Sequence, residues 1–185
     1  MAVINVVNLA ELGGVKRIDA DFYKPEYISL IDELQRSGAV PLKRIANPAK
    51  RGFRPREEEY FDYIEIAEVD LGTGEFDTSR IIGKEAPDRA QWLVKKGDVL
   101  VSTVRPIRNA VVLITEDKTN LVCSSGFCVL QPKNISPLYL LLYLKLHSIV
   151  RLLDRYTTAT EYPAVNWSDV LNVPIYLGDK KFRDS

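Results

Sequence analysis

The feature that most restricts this sequence is a block of short β-branched runs, Tyr63 to Leu130, lying between segments of helical periodicity. Tyr63-Ile64-Glu65-Ile66-Ala67-Glu68-Val69 alternates in part with a period of two, and Asp70 to Gly74 supplies turn chemistry behind it. Gly72-Thr73-Gly74 lacks the third glycine and the following helix of a phosphate-cradling loop, so it reads as a hairpin turn. Ala86 to Val94 reads as a short helical or irregular link. Gly97-Asp98 then turns the chain into the strand Val99 to Val104, halted by Pro106. Ala110 to Thr115 and Gly126 to Leu130 are further β-branched, apolar strands suited to a buried sheet.

Helical segments stand on both sides of this block. Pro25 opens the first, because a proline in the first turn lacks an N–H that would have had no acceptor there. Tyr27, Ile28, Ile31 and Leu34 form its apolar stripe, and Gly38 ends it in a left-handed conformation. Ser136-Pro137 predicts a second helix with a serine N-cap, apolar nearly all round from Leu138 to Leu146 and so placed in the core or at an interface. A third runs from about Ser148 to Tyr156. The hydroxyl-rich loop Thr157 to Pro163, a turn capped by Asn166-Trp167-Ser168-Asp169 and the strand Val173 to Leu177 close the order. Helices around strands predict an α+β, or mixed α/β, fold: a twisted, mostly antiparallel or mixed sheet bracketed by helices.

At 185 residues, 46% of them apolar and 27% charged, the chain suits one domain with a real core. No apolar run approaches the roughly 20 residues of a membrane span, and Met1 to Asn5 lacks a signal peptide's basic and apolar regions, so a cytoplasmic location is expected. Lysines and arginines number 25, as do aspartates and glutamates, and this neutral total does not by itself favour a nucleic-acid partner. The charge is nevertheless unevenly spread. Lys43, Arg44, Lys50, Arg51, Arg54 and Arg56 contain no acidic residue among them, and Glu57, Glu58 and Glu59 follow directly. Lys95, Lys96, Arg105 and Arg108 form another basic set, interrupted by Asp98.

Catalytic patterns are missing. Ser124-Ser125-Gly126 is not set in a nucleophile elbow, Walker and Rossmann glycines are absent, and the sole histidine, His147, follows an apolar helix. Cys123, Cys128 and His147 fit no zinc spacing, and the thiols read as small buried hydrophobes. Neither a metal nor a cofactor is expected, and binding is favoured over catalysis.

Several phrases together resemble the target recognition domain of type I restriction–modification specificity subunits. They are Arg17-Ile18-Asp19-Ala20-Asp21-Phe22-Tyr23-Lys24-Pro25-Glu26-Tyr27, Gly97 to Pro106 and Cys123 to Leu130, then the helix pair from Ser136, the loop with Pro163 and Asn172 to Leu177. The likeness spans roughly Arg17 to Leu177. It implies sequence reading of one half of a split double-stranded DNA site, with no catalysis by this chain. Adenine methyltransferase subunits using S-adenosylmethionine and a restriction endonuclease subunit are the partners it implies. The family's spacer helix does not follow Leu177. Residues 1–177 are therefore expected to be the recognition domain and 178–185 a tail, the chain being either a fragment or a shortened specificity protein.

Under this reading Lys50, Arg51, Arg54 and Arg56, in a loop with Pro48, Gly52 and Pro55, are candidate DNA contacts. So are Arg105 and Arg108 around Pro106, and Thr158, Thr160 and Tyr162 in the third loop. Arginine suits guanine because its two parallel N–H donors match the N7 and O6 acceptors. The arginines next to Glu57 to Glu59 have surface ion pairing as the alternative. Two rival functions remain: a protein-interaction module that binds methyltransferase subunits through the Leu138 to Leu146 helix, and an enzyme with a nucleophile among Cys123, Ser124, Ser125 and Cys128.

Overall fold

The computed structural model describes residue 6 and residues 19–157 and 162–178. Helix α1 covers Pro25–Arg36, with proline in its first turn and Tyr27 buried. Gly38 follows it at φ 81°, a left-handed conformation that glycine adopts without strain. The strands are β1 (Val40–Pro41), β2 (Ala46–Pro48), β3 (Tyr60–Ile64), β4 (Ser79–Ile82), β5 (Ala90–Leu93), β6 (Val99–Ser102), β7 (Val111–Leu113), β8 (Leu121–Ser124) and β9 (Phe127–Pro132). Helices α2 (Pro137–Leu144), α3 (His147–Asp154) and α4 (Trp167–Asn172) come next, and β10 (Pro174–Ile175) is last. The fold is mixed α/β.

Instead of one sheet there are two four-stranded sheets, ordered β2-β9-β6-β7 and β4-β3-β8-β5, and a separate β1–β10 pair. Every named pairing is antiparallel except β3 with β8. Strand alternation explains how the layers assemble, because successive side chains leave opposite faces. From the first sheet, Val99, Val101, Val111, Cys128 and Leu130 point into a core shared with Tyr27, Leu140, Leu144, Ile149, Leu152 and Val170 of the helices. Leu100, Val112, Phe127 and Val129 point the other way and meet Ile64, Leu121 and Cys123 of the second sheet. The outer face of that sheet carries Phe61, Tyr63, Ala90 and Val122, covered by Phe53 from the 49–59 loop. Helices, first sheet, second sheet and loop are thus stacked in that order.

Three expectations change, and one strand without a counterpart in the sequence reading is added. The strand expected over Tyr63 to Val69 starts earlier, at Tyr60, and ends at Ile64, where the chain turns into a 3-10 segment at Ile66–Glu68. Ala90–Leu93 is a strand paired with β8 and not a helical or irregular link. Leu121–Ser124 is a strand with all four residues buried. Ser136 makes no side-chain cap to α2, so Pro137 alone marks that start. The helix α2 buries Leu140, Leu141, Tyr143 and Leu144 but leaves Leu138 and Leu142 exposed, in line with Leu146 beyond its end.

Candidate nucleic-acid interface

The first basic loop follows β2. Phe53 donates its N–H to the Gln91 carbonyl at 2.8 Å and its ring lies 4.8 Å from that of Phe61, so the loop is drawn across the outer face of the second sheet. Farther on it passes so near Gly83 that a β-carbon there would stand 1.9 Å from the Arg56 carbonyl oxygen. This packing leaves Arg54 exposed, while Arg56, also exposed, reaches Glu59 at 2.8 Å. Lys50 lies over the Trp167 ring at 5.2 Å, and Trp167 packs on Trp92 at 5.4 Å.

Arg51, one of the expected DNA contacts, turns inward. Its guanidinium contacts both oxygens of the buried Asp98 at 2.7–2.9 Å and the Leu93 carbonyl at 3.3 Å. Asp98 also accepts the Lys95 backbone N–H at 2.7 Å. Burial pushes the Asp98 carboxyl up, and the Lys95 N–H and the Arg51 charge oppose that.

The second basic segment is the turn after β6. Pro106–Arg108 forms one 3-10 turn between two left-handed residues, Arg105 (φ 47°) and Asn109 (φ 63°). Such a conformation is uncommon outside glycine, and more so for arginine than for asparagine. The neighbours hold it in place. Arg105 donates its backbone N–H to Pro163 at 2.8 Å, and the Asn109 amide donates to Lys145 at 3.0 Å. The Lys145 ammonium in turn donates to the Asn109 and Leu71 carbonyls.

The contact with Pro163, with a β-bridge between Val104 and Ala164, joins this turn to the third loop. Tyr162 is exposed there, and Thr158 and Thr160 lie outside the described residues. Trp167, four residues past Pro163, carries the connection on to Lys50. Arg108 also lines an open cleft of about 280 Å³ with Arg89, Glu65, Ser124, Ile66 and Val104. Arg89 was missed by the sequence reading, being a lone arginine behind Pro87-Asp88 with no basic neighbour to draw notice.

Residues 40–181 match the model of the type I restriction modification DNA specificity domain. The chain belongs to this family. A similar solved structure is the HsdS subunit from Thermoanaerobacter tengcongensis, 30% identical with a TM-score of 0.67. Another comes from work on the structural basis underlying complex assembly and conformational transition of the type I R-M system, 30% identical with a TM-score of 0.68. Each likeness covers 74% of this chain and 36% of the other, so this specificity domain spans little more than a third of those proteins. No curated protein sequence matches it significantly.

Three of the candidate nucleophiles of this specificity domain, Cys123, Ser124 and Cys128, are buried, and Ser125 is half-buried. Cys123 faces the space between the sheets and Cys128 faces the helices, so the two point apart, while His147 is exposed at the start of α3. Burial pushes both thiols up, that of Cys128 to about 12, which opposes the thiolate that nucleophilic or metal chemistry needs. The buried Ser124 hydroxyl accepts the Gly126 N–H at 3.2 Å. Among the described residues no group of three or more His, Cys, Asp and Glu side chains is placed to hold a metal, and no helix is long and apolar enough to cross a membrane. An aromatic disulfide reagent added to the folded protein is expected to leave both thiols unmodified and to modify both after urea unfolding. A thiol that reacts as fast in the folded protein as in urea would contradict this burial.

Proposed function

We propose that this specificity domain binds double-stranded DNA and reads one half of a bipartite target for a type I restriction–modification methyltransferase/endonuclease complex in the cytoplasm. Methyl transfer to adenine and strand cleavage belong to its partner subunits. The observation that carries this reading is the junction of the Arg105 turn with the Pro163 loop, beside a cleft bearing Arg89 and Arg108. Guanidinium groups on a turn fixed at both ends are pre-set for two-point contact with a guanine edge. Lys50, Arg54 and Arg56 suit phosphate contacts that hold register, and Thr158, Thr160 and Tyr162 add hydroxyls from the third loop. Arg51 is left out of this set because Asp98 holds it.

Selection from randomised duplexes, with methyltransferase subunits present, is the test, followed by affinity measurements on the enriched sequence. Arg105→Ala or Arg108→Ala is expected to weaken binding by about 1–3 kcal/mol and relax one base position. Lys50→Ala is expected to weaken all sequences alike and reduce the salt slope by about 1. No enriched sequence, or arginine variants that bind and select as wild type does, would defeat the proposal.

One observation favours a second reading, in which the domain binds methyltransferase subunits without touching DNA. Leu138, Leu142 and Leu146 form an exposed row at four-residue spacing, an apolar stripe suited to a helical partner. Capture of a methyltransferase subunit that Leu142→Asp abolishes, with no duplex binding by the captured complex, would favour it.

A further inference from the structure

Ile107 is 49% exposed at the middle of the Pro106–Arg108 turn. A single exposed isoleucine on a protein surface needs no explanation. This one has an unusual mounting. The residues that start and end its turn are both left-handed and neither is glycine. Pro106 beneath it is buried and lies in an apolar seam with Leu144, Ile149, Val150 and Leu153. The fastenings come from separate parts of the chain: Pro163 takes the Arg105 N–H, Lys145 takes the Asn109 amide, and the Asp154 carboxylate faces the Ile107 N–H. Strained backbone that persists under so many contacts marks a shape that is being held, and such shapes gather at binding surfaces. What the turn exposes is Ile107 and, next to it, Arg108, with the half-buried Arg105 on the other side of Pro106.

In the major groove the arginine partner is guanine, through N7 and O6. The C5-methyl of thymine is the one apolar group that base edges present there. An aliphatic side chain carried rigidly next to a groove-facing guanidinium therefore has one natural counterpart. We infer that Ile107 reads the C5-methyl group of a thymine adjacent to the guanine taken by Arg108. The inference rests on the DNA-reading proposal above and adds a specificity-determining residue to it.

The test uses the full chain with methyltransferase subunits and the duplex enriched from a randomised pool. That duplex is remade with deoxyuridine at each thymine in turn, which removes the methyl and leaves the pairing intact. At one thymine beside a conserved guanine, wild type is expected to bind the uracil duplex about fourfold more weakly, the value of one buried methyl. Ile107→Ala is expected to bind the thymine and uracil duplexes equally, and its own selection to lose the thymine. Ile107→Val, which keeps a branched methyl pair, is expected to retain part of the preference. Because Ile107 is exposed, these variants should unfold in urea where wild type does. A wild-type protein that selects a sequence but ignores uracil at every position overturns the inference and leaves DNA reading standing. So does an Ile107→Ala protein with an unchanged thymine preference. Failure of wild type to enrich any sequence removes the DNA-reading proposal, and this inference with it.

Discussion

Replacing Arg51 with methionine is expected to destabilise the domain by about 3–5 kcal/mol at neutral pH, a typical loss when one member of a buried ion pair is removed. The Asp98 side chain is 3% exposed and that of Arg51 23%, so the substitution strands a carboxylate inside the protein. It also detaches the 49–59 loop from the Lys95–Asp98 turn, which lies between β5 and β6 and so between the two sheets. The pH dependence has a definite sign. Burial already pushes the Asp98 carboxyl up, and without the guanidinium less opposes it. A folded-state value above the unfolded one, near 3.9, means that the folded form holds the proton more tightly. Stability from this group is then present below the unfolded value and lost as pH rises through the folded one. The deficit of Arg51→Met should therefore shrink on acidification. Asp98→Asn added to Arg51→Met should recover part of the loss, since the stranded group is then neutral. Urea unfolding at several pH values measures all of this. A loss under about 1 kcal/mol, or a deficit constant between roughly pH 4 and pH 8, would mean that the pair is not as buried as described.

Phe127→Ala is expected to lower stability by about 3–5 kcal/mol, the usual range for deleting a buried aromatic ring. Phe127 starts β9 opposite Ser102 and packs with Leu100, Val129 and Cys123 in the core between the sheets. A ring removed there leaves a void that neither sheet can close without breaking its own ladder, so relaxation should be slight. Leu142→Ala on the exposed face of α2 gives the comparison, with an expected change within about 0.5 kcal/mol. A Phe127→Ala loss as small as that of Leu142→Ala in urea unfolding would argue against two stacked sheets.

The parts of the fold visible in sequence were those governed by local chemistry. Pro25 and Pro137 mark helix starts because only the missing N–H decides there. Val99–Val101 and Phe127–Leu130 stand out because strands buried on both faces are apolar without interruption. Strand β5 was hidden because its pairing with β8 shifts register between Ala90 and Trp92, breaking an alternation only four residues long. Strand β8 has nothing local to mark it, and its identity comes from a parallel partner, β3, nearly sixty residues away in sequence. The candidate interface divides the same way. Arg105 and Arg108 could be picked out because Pro106 halts a strand beside them. The inward turn of Arg51 could not, since its partner Asp98 is 47 residues distant and nothing local signals it. Arg89 was likewise invisible, because it reaches its cleft through the packing of three segments.

The pairing of β1 with β10 sets Val40 against Ile175 and Pro41 against Pro174. Antiparallel neighbours are separated by only about 5 Å, so the stretch between these strands leaves and returns through a single doorway. A unit with such a doorway asks a host chain to open only one narrow gap. The β1–β10 clasp thus gives the 40–175 stretch the geometry of an insert, whatever sequence lies inside it.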